Sequence, residues 1–154
     1  MFNIKNIIVP TDFSELSFSA FDYARDMAEQ INAKIHLIYV LEKAPPFLAL
    51  RSVDVSEEEI MKDMEDEAKR QLSEAAKKLR NDSNVEIIEV CRKGIDYEEI
   101  VKYSKEVEKA LIVIATHGRT GILHTLLGSV AEKVIRYAKC PVLVITPENE
   151  EIDN

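Results

Sequence analysis

The sequence predicts an α/β protein: a single domain whose five-stranded parallel sheet is flanked by four helices. Two observations carry this. Short β-branched apolar runs alternate with longer stretches of helical periodicity along the whole chain. One of those runs, Ala110 to Ala115, is apolar at every position, as a central parallel strand covered on both faces must be. The length, 154 residues, suits one domain. There is no internal repeat, linker or second domain.

The elements follow in order. Residues 4–10 read as a first strand stopped by Pro10. Leu16, Ala20, Ala24, Met27, Ala28 and Ile31 then recur at helical spacing, with Ser14 as the N-cap. Residues 34–40 read as a second strand, and residues 41–53, with Pro45 and Pro46, as a loop. A long helix is expected over residues 56–80. Its Ser56-Glu57-Glu58-Glu59 start is a capping box. Residues 54–67 carry eight acids and one base, and residues 68–80 five bases and one acid, an order that complements the helix dipole and reads as a solvated face. Residues 84–90 read as a third strand near a sheet edge, because two of them are charged. Residues 96–106 suit a short helix, and residues 129–138 another, with Val130, Val134, Ile135 and Ala138 inward. Val142 to Ile145 is a fifth strand, opened by Pro141 and therefore placed at an edge. Residues 148–154 hold four acids and no base and are expected to be a disordered tail.

Composition excludes several functions. Lys plus Arg number 20 and Asp plus Glu 28, a net charge of −8, which argues against nucleic-acid polymers and anionic membranes as partners. No run is long enough to span a membrane. The N-terminus lacks a secretory segment, and the two cysteines, Cys91 and Cys140, show no metal or redox spacing, so the expectation is a cytoplasmic protein with reduced thiols.

In a parallel α/β sheet, ligands bind beyond the carboxyl ends of the strands, where strand order reverses. The residues that follow the strands are Pro10, Thr11 and Asp12, then Val40, then Thr116, His117, Gly118 and Arg119. Three of the four glycines, Gly118, Gly121 and Gly128, fall within eleven residues. Gly128 and Ser129 open the last helix, where free N–H groups attract phosphate. Residues 115–139 hold four bases and one acid in an acidic protein. Each feature also has an ordinary explanation. The glycines can serve turns, Ser129-Val130-Ala131-Glu132 is itself a capping-box pattern, and Asp12 can close an Asx turn. Their convergence behind a buried strand favours a phosphate-binding loop. Neither the dinucleotide fingerprint nor a Walker A loop is present. His36 reads as a packed strand residue and His124 as a surface one. His117 sits beside the loop with no evident nucleophile.

These residues carry a resemblance. Ile7-Ile8-Val9-Pro10-Thr11-Asp12, Thr116-His117-Gly118-Arg119-Thr120-Gly121, Gly128 to Arg136 and Cys140 to Val144 are similar to the universal stress protein family, and the similarity covers nearly the whole chain, as a domain over residues 1–147. The ATP-binding branch of that family is marked by G-x2-G-x9-G-[ST]. Gly118, Gly128 and Ser129 match it, and Ala115 stands at the first glycine. The resemblance implies sheet order 3-2-1-4-5 and a fold like that of the adenine nucleotide alpha hydrolases. It also implies an ATP site. Asp12 and the Ala115 backbone would face the ribose, and Pro10, Thr11 and Val40 the adenine. Gly118, Arg119, Gly128, Ser129 and Val130 would face the phosphates, with His117 beside them and Mg²⁺ bound through the nucleotide. It further implies a homodimer joined through Val142, Leu143, Val144 and Ile145. The function expected is that of a non-catalytic, ATP-dependent stress regulator. An ATP-cleaving enzyme on the same scaffold and an interaction module with an empty pocket remain the alternatives.

Overall fold

The computed structural model describes residues 3–43, 56–117 and 127–147. Within them the order is β1 (Asn6–Pro10), α1 (Glu15–Phe18), α2 (Phe21–Ile31), β2 (Lys34–Leu41), α3 (Glu57–Arg80), β3 (Ile87–Lys93), α4 (Asp96–Glu106), β4 (Ala110–Ala115), α5 (Ser129–Tyr137) and β5 (Val142–Ile145). All five strands are parallel, in the order β3-β2-β1-β4-β5. The chain therefore winds outward from β1 twice, in opposite directions, and leaves a crevice where the two halves diverge.

Side-chain alternation sorts the core into two layers. Ile7, Val9, Ile35, Leu37, Leu111 and Val113 pack with Ala24, Ala28, Leu72 and Leu79 of α2 and α3. Ile8, Ile38, Ile112 and Ile114 pack with Ile100 of α4 and Ala131 and Val134 of α5. Burying each such Ile, Leu or Val side chain contributes about 1.5–3 kcal/mol. All six residues of β4 are buried.

Local signals set most boundaries. The Ser56 hydroxyl accepts from Glu59 N–H at 3.2 Å and the Glu59 carboxylate accepts from Ser56 N–H, which completes the capping box. Ser14 caps α1 by accepting from Ser17 N–H at 3.1 Å.

Three sequence expectations are corrected. The first helical stretch is interrupted. One turn, α1, ends at Phe18, and α2 starts at Phe21, with Ala20, Ala24 and Ala28 buried while Ile31 is exposed. The third strand lies over Ile87–Lys93 rather than 84–90. Every residue from Ile35 to Leu41 of β2 takes a partner, and the last of these is Lys93, so pairing with β2 outweighs the local apolar pattern. In α5, Ile135 is 44% exposed and Ala131 faces inward instead. The expected 41–53 loop lies largely outside the described residues, and the acidic 148–154 tail lies wholly outside them.

Candidate functional site

A cleft of about 520 Å³ opens over the carboxyl ends of β2, β1 and β4. Its walls include Pro10, Thr11, Asp12, Val40, Ala115, His117, Gly128, Ser129 and Val130. The fold thus brings together nine positions singled out from four separate stretches of sequence. Gly118, Arg119, Gly121 and His124 lie outside the described residues.

The floor is the turn after β1. Thr11 N–H bonds to the Ile38 carbonyl at 2.9 Å, extending the β1–β2 ladder into the cleft. The Thr11 hydroxyl lies 3.0 Å from the Ser17 hydroxyl and accepts from Phe13 N–H at 3.0 Å. Asp12 Oδ1 accepts from Ser14 N–H at 3.0 Å and from the Ser14 hydroxyl at 2.5 Å. Asp12 therefore closes an Asx turn and at the same time lines the cleft. Phe13 is held at φ 66°, an uncommon conformation for a bulky residue, with its ring stacked on Tyr39 at 4.3 Å. Strain of this kind, on the order of 1–3 kcal/mol, persists only where surrounding bonds over-determine the backbone, as they do here.

The opposite wall joins β4 to α5. Thr116 N–H bonds to the Ile145 carbonyl, and the Thr116 carbonyl accepts from Gly128 N–H at 2.6 Å. A Cβ on Gly128 would stand 2.5 Å from that carbonyl oxygen. Glycine is required here by close approach, because the φ of −68° suits any residue. Gly128 is the N-cap, and no side chain among the described residues caps the helix. Ser129 is thus the first helical residue and exposed, so the capping-box pattern at 129–132 does not form. The backbone N–H groups of Ser129 and Val130 have no acceptor among the described residues. Ala115 occupies the position of the first motif glycine. Alternation along β4 sends its methyl to the α2 side, where Ala115 joins the core with Val113 and Leu111.

Sequence reasoning placed Thr116 after β4 without a role for its hydroxyl, and it missed one wall of the site. The Thr116 hydroxyl, almost fully buried, lies 2.8 Å from His117 Nδ1 and so fixes one side of that ring. The missed wall is built by Met64 of α3 and by Asp96 and Ile100 of α4. The signal available for it was Gly94, which follows β3 as the other site residues follow their strands.

The model of the universal stress protein family matches residues 3–146. The chain belongs to the universal stress protein family. A universal stress protein of Methanocaldococcus jannaschii is 36% identical over 147 residues, covering 96% of this chain and 85% of that one. A second protein of that organism, solved as a test case of structure-based functional assignment, superposes with TM-score 0.77 at 31% identity over 94% of this chain and 97% of its own. A universal stress protein solved in complex with cAMP matches with TM-score 0.66 at 25% identity, covering 93% of this chain and 97% of its own. One from Archaeoglobus fulgidus, solved in complex with dAMP, matches with TM-score 0.64 at 25% identity over 94% and 99%. In this universal stress protein no helix among the described residues is long and apolar enough to cross a membrane.

Proposed function

We propose that this universal stress protein binds ATP in the cleft and acts as a cytoplasmic, nucleotide-dependent stress regulator. The observation that supports this most is the uncapped start of α5, whose Ser129 and Val130 N–H groups border the cleft opposite the Asp12 turn. A helix N-terminus left open beside a cavity offers directed donors and a favourable dipole to phosphate. A volume of about 520 Å³ suits a small-molecule ligand. The adenine nucleotides bound by two relatives support the base. On this reading Asp12 accepts from the ribose hydroxyls, the Ala115 backbone borders the sugar, and Pro10, Thr11 and Val40 face the adenine. Gly128, Ser129 and Val130 take the phosphates, with His117, Gly118 and Arg119 alongside.

Among the described residues no group of three His, Cys, Asp or Glu side chains gathers to hold a metal, so Mg²⁺ would enter through the phosphates. Its chemistry there is to neutralise phosphate charge. ATP would regulate by favouring one conformation or complex over another. The assembly proposed is a homodimer through β5, whose Val142, Leu143 and Val144 are half-buried on an open sheet edge.

Calorimetric titration with ATP and Mg²⁺ tests the assignment, with the nucleotide analysed afterwards. The expected result is saturable binding, ATP recovered unchanged, and at least about tenfold weaker binding for Asp12→Ala and Gly128→Val. An isotherm without heat at millimolar ATP would overturn the binding site. Stoichiometric conversion to AMP or ADP would replace the regulator with an enzyme.

A further inference from the structure

The two ends of the cleft are both helix N-termini, and their charges differ. At one end α5 opens without a side-chain cap among the described residues, and Glu132 is the acid of its first turn. At the other end α4 opens with Asp96 and carries Glu98 and Glu99 in the same turn. Three carboxylates cancel the dipole of α4 and repel phosphate, whereas α5 retains its donors. A nucleotide therefore lies with its phosphates at α5 and its base at α4. The α4 end suits a flat base, because Ile38, Val40, Met64 and Ile100 present apolar surface there.

Asp96 is set into that apolar end, with Glu42 and Lys43 after β2 also lining the cleft. Gly94, at φ 148°, makes the turn out of β3, and its N–H bonds to the Leu41 carbonyl at 3.1 Å, which pins the turn to the end of β2. Asp96 follows two residues later, half-buried in the wall. Its Oδ1 accepts from Tyr97 N–H at 2.5 Å, while Oδ2 has no hydrogen-bond partner among the described residues. An ionised carboxylate only accepts hydrogen bonds, so it matches a donor on the base edge and opposes a lone pair. We propose that Asp96 determines base specificity in this site by accepting a hydrogen bond from the exocyclic amino group of the purine. The proposal rests on the nucleotide reading above and adds a residue that selects the base.

The test compares ATP with purine riboside triphosphate, which lacks only the amino group, by calorimetry on the full chain. The wild-type protein should bind ATP about tenfold or more tightly than the analogue, the range expected for a hydrogen bond to a charged group. In Asp96→Ala that preference should fall to about threefold or less, through loss of ATP affinity with the analogue unchanged. Asp96→Ser provides a second variant, since its hydroxyl can still serve the Tyr97 N–H but cannot reach the base. Thermal melting establishes that each variant is folded. An equal affinity of the wild type for the two ligands, or an ATP preference that survives both substitutions, overturns the role of Asp96 and leaves the nucleotide site standing. Failure of the wild type to bind either ligand overturns both.

Discussion

Gly128 and His36 show how much can hang on one atom. At Gly128 the limit is steric: a methyl would meet the Thr116 carbonyl oxygen at 2.5 Å. Gly128→Ala should destabilise the fold by about 1–3 kcal/mol, the usual range for overpacking, and should weaken nucleotide binding because the start of α5 moves away from β4. Chemical denaturation and titration of the same sample measure both effects. At His36 the limit is protonation. Asn6 donates from Nδ2 to the Glu108 carbonyl, so its Oδ1 accepts from His36 Nε2–H at 3.0 Å, and Nδ1 accepts from the Tyr103 hydroxyl at 2.7 Å. Burial, then the nearby Lys34 charge, holds His36 below its ordinary value of 6.5, against a smaller opposite pull from Glu86. Arg92 lies over the Tyr103 ring and pairs with Glu106. The folded state thus binds a proton less readily than the unfolded chain. The stability from neutral His36 is fully present above about pH 6.5 and is lost as pH falls below it. The urea midpoint should drop between pH 7.5 and 5.5, and His36→Phe should flatten that slope. Glu65, held at about 2 mainly by Lys69, with Lys93 on its other oxygen, titrates too low to contribute in this window.

Elements differ in how far their own residues define them. α3 is defined locally. It has a capping box, acids in its first turn, Lys77, Lys78 and Arg80 in its last, and an inward stripe of Ala68, Leu72, Ala75, Ala76 and Leu79. Ser56→Ala should cost about 1 kcal/mol, read as a lower urea midpoint and faster amide exchange in the first turn. β4 is equally legible, because only a strand covered on both faces tolerates six apolar residues in succession. β3 is defined by its neighbour. Its own apolar residues begin at Val85, but the ladder with β2 starts at Ile87 and runs on into Arg92 and Lys93. α5 shows the limit of periodicity. Val130, Val134 and Ile135 all fit an apolar face by spacing, but the helix sits so that Ala131 and Val134 point inward. Ile135 then stands exposed beside Tyr137.

At the scale of the whole molecule, the open edges of the sheet are β3 and β5. The carbonyls of Pro141 and Ile145 bond inward to β4, so in a parallel strand Val142 and Val144 turn their N–H and C=O groups outward. Val144→Pro should therefore remove one outward donor, leave the β4 ladder intact and convert the proposed dimer to a monomer in sedimentation at nearly unchanged melting temperature. The α/β class, the five strands, the α3 capping box and the positions that follow β1, β2 and β4 were legible in the amino-acid sequence. These depend on periodicity and on residues close together in the chain, and both are written locally. The role of Asp12 was legible only as alternatives, and the structure gives it the Asx turn within a cleft wall. Tertiary structure alone decided that Met64, Asp96 and Ile100 share a cleft with Gly128. Those positions are far apart in sequence, and their proximity is fixed by the doubly wound topology. It also decided that Ser129 leaves its helix uncapped, since Gly128 is held against Thr116 by a contact between two chain segments that no local pattern encodes.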